Sequence, residues 1–282
     1  MCGDLTSSFQ PFSGDKTPDA LRLDRDEVVE GIHRAQFKQL PAGFQALSAE
    51  QVEQLRNDVA KSPFMPRQEV GVRKSSPLPY ELAVDGSLSE DRRQFVIRFT
   101  AGKQQFGEAA AGSPFIVFAR SADGEMAVRN YALSAGEHLE DAWTIADFTD
   151  GKYNFAVHGP NGFYREFQGS PADPQADVRI ERFPTASVDD PANGHVAIHL
   201  SNRDHTRKLP FVVSDSTYRR ADEQRFLGPG QAATLVVESA HDHGWYDFSV
   251  TIGGNPGYQQ RFAGRVETGR WSISDPAMGG TG

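Results

Sequence analysis

The sequence is poor in cysteine, in long apolar runs and in excess basic charge. Its single cysteine, Cys2, cannot form an internal disulfide, so covalent crosslinks within the chain are excluded as a source of stability. No apolar stretch approaches the roughly 18 residues that a membrane-spanning helix requires. The formal net charge is -9, from 29 basic and 38 acidic residues, which argues against nucleic acid as a partner. Stability must therefore come from apolar cores.

Several functional motifs are also absent. The segment from Met1 to Thr6 has neither a basic nor an apolar region, so it does not have the pattern of a signal peptide. No G-x-S-x-G occurs, which leaves a serine-hydrolase nucleophile without support. No phosphate-binding G-x-x-x-x-G-K-[ST] loop occurs either. The residues therefore predict no catalytic group, no metal ligand and no cofactor in this chain.

One unit of sequence is present twice. The segment Gly151–Val157 returns 93 residues later as Gly244–Val250, and both copies follow the pattern G-x-Y-x-F-x-V. Each copy is followed by an aromatic run between glycines, Gly162–Gly169 and then Gly257–Gly264. A repeat of roughly 95 residues is too long for a solenoid or a propeller blade and is close to the length of an immunoglobulin-like sandwich. The repeat therefore predicts two consecutive β-sandwiches.

Both copies alternate with the period of a β-strand. Tyr153, Phe155 and Val157 share one face of the first copy, because successive side chains of a strand leave on opposite sides. We predict a mainly β protein with two tandem immunoglobulin-like β-sandwich domains preceded by an extended, partly helical segment. The predicted boundaries are residues 1–79 for the preceding segment, 80–172 for the first sandwich and 173–282 for the second sandwich with its tail.

The preceding segment shows two helix patterns and a proline-rich connector. Ser48 is suited to cap a helix, with Gln51 as its capping-box partner, and the helix should end at Ser62-Pro63. A second helix is predicted from about Asp26 to Lys38. Four prolines between residues 63 and 79 predict an extended connector. If this segment belongs with another domain, it should expose apolar side chains such as those of Leu5, Phe9 and Phe12.

Each sandwich should contain several short strands. In the first sandwich, alternation that begins at Tyr80 predicts a strand ending in a turn at Asp85-Gly86, and Trp143 is expected in the core. Seven strands are predicted there. Six are predicted in the second sandwich, from Val178 to Phe262, and a tail follows from Gly269.

Repeated aromatic residues are the candidates for ligand contact. Tyr153 and Tyr246 occupy the same position of the repeat, so a buried tyrosine with its hydroxyl bonded to backbone is preferred over a catalytic role. Phe163, Tyr164 and Tyr258 are candidates for contact with a lipid or another ligand. The alternative is that they belong to the core, as most strand aromatics do.

A pair of histidines suggests a different chemistry. His241 and His243 flank Asp242 and could ligate zinc, but no third protein ligand is identifiable. A solvated loop before the second G-x-Y strand is the preferred interpretation.

Long stretches of the sequence resemble the C-terminal part of bacterial phosphocholine-preferring phospholipases C, of the phosphoesterase and acid-phosphatase superfamily. Residues 2–9 resemble the close of that family's catalytic domain, and residues 66–73 and 78–82 resemble the linker that follows it. The stretch Val157–Phe163 is similar to the end of the first accessory domain. The second accessory domain is matched by residues 243–247, 266–269 and 274–277.

The resemblance implies that the catalytic domain lies N-terminal to everything seen here, with the metal ligands and the nucleophile inside it. No position of this chain inherits those roles. Met1 then indicates an expressed fragment or a truncated reading frame. Family members are exported through a twin-arginine signal, so a secreted or periplasmic location is expected, although this chain carries no such signal.

Three functions follow as hypotheses. The first is a non-catalytic accessory region of a phospholipase C, with the catalytic domain as its partner and a phospholipid surface as its place of action. The second is an independent β-sandwich module that binds lipid headgroups or glycans. The third is a small hydrolase or metalloprotein that uses His241 and His243.

Overall fold

The structure is a computed structural model that describes residues 24–39, 42–43, 45–57, 71–185, 190 and 193–278. By its contacts the chain divides into a smaller unit, Phe9–Gln68, and a larger one that includes Glu69–Gly282. The expectation of exposed apolar side chains at Leu5, Phe9 and Phe12 falls outside the described residues.

The smaller unit contains two helices, α1 (Arg25–Ala35) and α2 (Ala49–Asn57). The predicted capping box is present at the start of α2. The amide of Gln51 donates to Ser48 Oγ at 3.2 Å, and the amide of Ser48 donates to Gln51 Oε1 at 2.9 Å. These two bonds satisfy amides that the first turn of a helix leaves without partners. The helix predicted from about Asp26 to Lys38 is also present as α1, but it ends at Ala35, and the side chain of Asp24 caps its start.

The larger unit is built from sixteen strands in the part of the chain that the structure describes. A first strand precedes the repeats, β1 (Lys74–Ser75), and a last one follows them, β16 (Ser272–Ile273). The strands that we call the first repeat are β2 (Leu82–Leu88), β3 (Gln94–Ala101), β4 (Ser113–Ser121), β5 (Met126–Leu133), β6 (His138–Thr144), β7 (Tyr153–His158) and β8 (Tyr164–Gly169). Those of the second repeat are β9 (Ala176–Arg182), β10 (Val196–Asn202), β11 (Leu209–Asp215), β12 (Glu223–Leu227), β13 (Ala232–Val237), β14 (Trp245–Ile252) and β15 (Asn255–Arg265).

The strands form two layers with the same order in each repeat. One layer holds two three-stranded sheets, β2-β3-β6 and β9-β10-β13. The other is a continuous eight-stranded sheet in the order β12-β11-β14-β15-β8-β7-β4-β5, with every neighbour antiparallel. The mainly β, sandwich-like fold is therefore confirmed. The fourth strand of each repeat pairs with the third, whereas in a constant-type immunoglobulin domain it lies in the sheet of the first, second and fifth.

The two repeats join edge to edge through β8 and β15. Glu166 pairs with Arg261 in this ladder, and these two residues occupy the same position of the repeat, 95 residues apart. On either side of them Arg165 pairs with Phe262, and Phe167 pairs with Gln260. The ladder is therefore symmetric about the Glu166–Arg261 pair, as at the two-fold interface of a homodimer. We call this junction, together with the adjoining contact between β2 and β9, the seam.

A single apolar core runs through both repeats. In the first, the ring of Phe95 on β3 stacks on that of Phe155 on β7 with centroids 4.9 Å apart, which joins the two layers. Trp143 is buried against Phe155, as expected from the sequence. At the seam, Phe167 and Phe262 meet edge to face at 6.3 Å, and both are fully buried. Because these two rings come from different repeats, their packing stabilises each repeat only when the other is folded.

Three local expectations were wrong or incomplete. The turn expected at Asp85-Gly86 does not form, because β2 continues through both residues to Leu88 and pairs with β3 along its length. Gly86 faces the core, where a Cβ atom would lie 2.7 Å from the ring of Phe95. The second repeat has a seventh strand, β12, which the sequence pattern did not indicate. The proline-rich connector and the tail are not separate extensions, since β1 and β16 pair with each other.

Candidate functional site

Buried polar groups without partners are concentrated at the seam, beside the apolar contact of Phe167 and Phe262. Seven buried side-chain nitrogen or oxygen atoms of the described residues have no hydrogen-bond partner, and five of them belong to residues at the seam or in the cavities that adjoin it. The five are Asp85 Oδ1, Arg165 Nε, Tyr258 Oη, Gln260 Oε1 and Arg265 Nε. Because buried polar groups are nearly always paired in native proteins, their concentration here marks the seam as the candidate site.

The first cavity has a volume of about 420 Å³ and lies between the repeats. Its walls come from β2, β3 and β8 of the first repeat and from β9, β10, β14 and the end of β15 of the second. Gln104, Glu181 and Pro184 line it and are exposed, so it communicates with solvent on that side. Deeper in, Phe163, Arg165 and Tyr246 line it and are buried.

Arg165 is the central charged group of this cavity. Only 1% of the residue is exposed. Its Nη1 donates to the carbonyl oxygens of Tyr164 and Ala263 at 2.7 and 2.9 Å, and its Nη2 donates to the hydroxyl of Tyr246 at 3.0 Å. Its guanidinium carbon lies 4.0 Å from the ring centroid of Phe163. These contacts use three of the five N–H groups of the guanidinium, and all the acceptors are neutral.

A second buried pair, Arg265 and Glu267, lies beside the cavity. Arg265 Nη1 is 3.5 Å from Glu267 Oε1, and the two side chains are 1% and 4% exposed. Glu267 also accepts from the Leu78 amide at 3.2 Å and from Asn161 Nδ2 at 2.8 Å. Burial raises the pKa of Glu267, and Arg265 opposes that shift. The acid therefore ties the connector and both repeats together.

A second cavity, of about 460 Å³, occupies the corresponding place on the other side of the symmetric ladder. Tyr258, Gln260 and Tyr153 line it, and they stand at the repeat positions that Phe163, Arg165 and Tyr246 hold in the first cavity. Burial raises the pKa of the Tyr258 phenol, whose oxygen has no partner among the described residues. The two cavities thus share three positions of the repeat, and one of these is a cation in the first cavity and neutral in the second.

Asp85 lies on β2, where this strand contacts β9. Its Oδ1 atom is buried without a partner in the described part of the chain. Burial raises the pKa of the Asp85 carboxyl, Asp177 adds to the shift, and the cationic groups of Arg179, Arg165 and Arg98 oppose it. Desolvation therefore prevails over the nearby positive charges.

The three ligand-contact candidates do not form one exposed patch. Phe163 is 7% exposed and Tyr258 5%, so their rings belong to the walls of the two cavities. Tyr164 is half-buried on the outer face of the eight-stranded sheet, where its ring lies 5.0 Å from that of His158. Direct contact of these side chains with a ligand stays a prediction, and in this conformation Tyr164 alone offers surface to a large partner.

The repeated tyrosines differ from the expected backbone-bonded arrangement. Both are buried, as predicted. The hydroxyl of Tyr246 accepts from Arg165, a side chain of the other repeat, rather than bonding to the backbone. The repeated position is therefore part of the seam.

The histidine pair has no third ligand in the described residues. His241 is exposed in a turn and lies 3.6 Å from Glu238, while Asp242 is paired with Arg220. No group of three or more histidine, cysteine, aspartate or glutamate residues that could hold a metal occurs in the ranges that the structure describes.

Sequence reasoning missed Arg165 as a site residue. The signal was present in the alternation, since Phe163, Arg165 and Phe167 fall on one face of a strand and the phenylalanines are core residues. An arginine between two core aromatics indicates a buried cation. Its neutral counterpart in the second repeat, Gln260, shows that the fold does not require this charge.

Comparison with known proteins gives one consistent result. A family model described as "Bacterial phospholipase C, C-terminal domain" matches residues 75–170 and 184–265. The non-hemolytic phospholipase C of Burkholderia pseudomallei is 33% identical over 281 residues, which cover 99% of this chain and 36% of that protein. The non-hemolytic and hemolytic phospholipases C of Pseudomonas aeruginosa are 32% and 29% identical, and the matches cover 37% and 38% of their lengths. The chain thus spans little more than a third of the relatives it matches.

Proposed function

The chain belongs to the family of bacterial phospholipase C C-terminal domains, and from this premise we propose that it is a non-catalytic accessory region of a phospholipase C. The observation that carries the proposal is the difference in coverage, 99% of this chain against 36% of the B. pseudomallei relative. The parent activity would be hydrolysis of phosphatidylcholine to diacylglycerol and phosphocholine. The catalytic groups would lie in the part of such a protein that this chain does not contain.

The continuous sheet across the seam supports an accessory role. Two sandwiches that share one sheet and one core form a single body, which is suited to holding a neighbouring domain in a fixed orientation. Such a body would support the catalytic domain or orient it at a lipid surface. A secreted or periplasmic location fits this role. No helix of the described residues is long and apolar enough to cross a membrane.

The outer face of the first repeat supports contact with the remainder of a longer polypeptide. Ile116, Met126 and Val128 are 39%, 55% and 45% exposed on neighbouring strands β4 and β5. Phe118 and His158 continue this surface, with ring centroids 5.5 Å apart. The matching positions of the second repeat carry smaller or polar side chains, including Ser214 for Phe118 and Thr251 for His158. An apolar face whose matching positions in the second repeat are smaller or polar is suited to docking, and we assign it to the preceding catalytic part.

A phospholipase assay on the purified chain, run beside co-sedimentation with phosphatidylcholine vesicles, tests this proposal. We expect no release of phosphocholine. Turnover would overturn the non-catalytic assignment. Binding to vesicles without turnover would make the chain a lipid-targeting region, and the absence of both would leave the supporting role, completed by the catalytic domain.

The module that acts on its own is the second candidate. The observation that favours it is the pair of cavities at the seam, each large enough for a small ligand. Saturable binding of a lipid headgroup or a glycan by the isolated chain would support it.

A further inference from the structure

We propose that the first cavity of the seam binds a small organic oxyanion, a molecule with a phosphate or carboxylate group, and that Arg165 holds the anionic group. The inference does not depend on the accessory role.

Among the residues that the structure describes, no acid contacts the guanidinium of Arg165. The side chain is almost fully buried, and its three hydrogen-bond acceptors are two carbonyl oxygens and a phenol. Asp85 interacts with it electrostatically, but the Asp85 carboxylate also faces Arg179 and Arg98. A buried ion without a contacting counter-charge costs several kcal/mol. An anion in the cavity that Arg165 lines would remove much of that cost.

The acids of the cavity wall are engaged elsewhere. Glu81 accepts from the Gln105 amide at 2.9 Å, and Glu181 Oε1 lies 3.0 Å from His199 Nε2. Glu267 is paired with Arg265 and accepts two further hydrogen bonds. Arg165 itself keeps unused donors, because its Nε has no partner among the described residues and one N–H of Nη2 is left over. Two N–H groups of one guanidinium can bind two oxygens of a phosphate or carboxylate.

The second cavity is an internal comparison. It has the same strand framework and nearly the same volume, but Gln260 stands where Arg165 stands. Since the repeat folds without an arginine at this position, the fold alone does not account for Arg165. At this position of the repeat only the first cavity has a cation, and the inferred ligand class follows from the charge of Arg165.

The size and the opening of the cavity suit a small molecule. A volume of about 420 Å³ lies within the range of ligand pockets, roughly 300–1,000 Å³. The exposed rim at Gln104, Glu181 and Pro184 gives access from solvent. The rim carries both charges, with Glu181 and Arg182, so a polar group at the outer end of the ligand would find hydrogen-bond partners there.

Isothermal titration calorimetry on the full chain tests the site, with sn-glycerol 3-phosphate, inorganic phosphate and acetate as probes. We expect saturable binding of at least one of them at one site per chain. Arg165→Gln, which gives the first cavity the side chain of its twin, should weaken that binding at least tenfold. Arg203→Gln is the matched control, because Arg203 is an exposed arginine that lines the second cavity, and it should leave the affinity unchanged.

A second variant separates loss of the site from loss of the fold. Ala83 lines the cavity on β2, so Ala83→Leu should fill part of it while Arg165 remains. Urea unfolding of each variant identifies the folded proteins that are compared. Equal binding by wild type and folded Arg165→Gln, or no binding of any probe at roughly millimolar concentration, where specific small-molecule sites are normally detected, would overturn the proposal.

A parallel experiment distinguishes a lipid headgroup from a free metabolite as the source of the oxyanion. Phosphatidylcholine vesicles with and without phosphatidic acid are co-sedimented with the chain. Arg165-dependent binding of the phosphatidic acid vesicles would assign the site to a lipid headgroup. Arg165-dependent binding of the soluble probes alone would assign it to a free metabolite. Neither result depends on phospholipase activity, so this proposal and the accessory role can fail separately.

Discussion

At the scale of single residues, the seam shows how one substitution changes the character of a repeated position. Arg165 and Gln260 have the same backbone environment, face the same layer and line cavities of similar size. Burying the neutral Gln260 costs less free energy than burying a charge, whereas the charged Arg165 offers stronger hydrogen-bond donors. The two repeats therefore contribute related positions to two cavities, and only the first cavity carries a buried arginine at this position.

Gly86 is a residue whose importance lies in its missing side chain. Its hypothetical Cβ would lie 2.7 and 2.8 Å from atoms of the Phe95 ring and 3.0 Å from Phe167. We expect Gly86→Ala to lower the free energy of unfolding by about 1–3 kcal/mol, because the core would be overpacked. Gly257→Ala is the control, since nothing lies within 4 Å of a Cβ there, and it should change stability by less than about 0.5 kcal/mol. Urea unfolding curves of the two variants measure both values, and similar midpoints would contradict the argument.

Asp85 should make stability depend on pH in an unusual direction. Because burial raises the pKa of its carboxyl above 3.8, the folded state holds this proton at pH values where the unfolded chain has lost it. The free energy of unfolding should therefore fall as the pH rises from 3.8 through the raised pKa. Asp85→Asn removes this contribution.

The variant should accordingly gain stability relative to wild type when the pH is increased from below 3.8 to 7. Urea unfolding of both proteins at the two pH values gives the comparison, in which the titration of all other groups cancels. Parallel pH profiles would show that the desolvation of Asp85 does not control its titration.

At the scale of elements, the local patterns were predicted well because their physics is local. The capping box at Ser48 and Gln51 and the G-x-Y strands follow from hydrogen bonding and side-chain alternation within a few residues. Strand β12 was missed because it lies at a sheet edge and most of its side chains are exposed, so it lacks the apolar alternation that marks a half-buried strand. The turn expected at Asp85-Gly86 failed because core packing, rather than turn chemistry, requires the glycine.

The cap of α2 allows a local measurement. Ser48→Ala removes the acceptor of the Gln51 amide and should weaken the first turn by about 1 kcal/mol. Hydrogen exchange of the Gln51 amide should then be about fivefold faster. Ser48→Asp keeps an acceptor at the same position and should exchange close to the wild-type rate. Equal rates in Ser48→Ala and wild type would mean that this hydrogen bond does not protect the turn in solution.

At the scale of the whole molecule, the sequence predicted two sandwiches but not their junction. The repeat gives the number of units, whereas edge pairing between β8 and β15 brings together strands that are almost a full repeat apart. Neither strand carries a local mark of which partner it takes, since both alternate as ordinary sandwich strands. The cavities and the environment of Arg165 exist only because of this pairing, so no reading of one repeat alone could have found the candidate site.

The shared sheet predicts that the two repeats unfold together. The ring centroid of Phe167 in the first repeat lies 5.6 Å from that of Phe95 in the same repeat and 6.3 Å from that of Phe262 in the second. All three side chains are buried. Phe167→Ala should destabilise the fold by about 3–5 kcal/mol. Under conditions where exchange requires global unfolding, amides of β3 in the first repeat and of β11 in the second should accelerate by the same factor. Phe262→Ala, at the same repeat position, is the reciprocal variant and should accelerate both strands as well.

Acceleration confined to the repeat that carries the substitution would mean that the seam is a contact between independent domains. Equal acceleration would mean that the cavities are formed by a body that cannot open one repeat at a time. In that case, stabilisation by an anion bound at Arg165 would be measurable at amides of both repeats, far from the cavity itself.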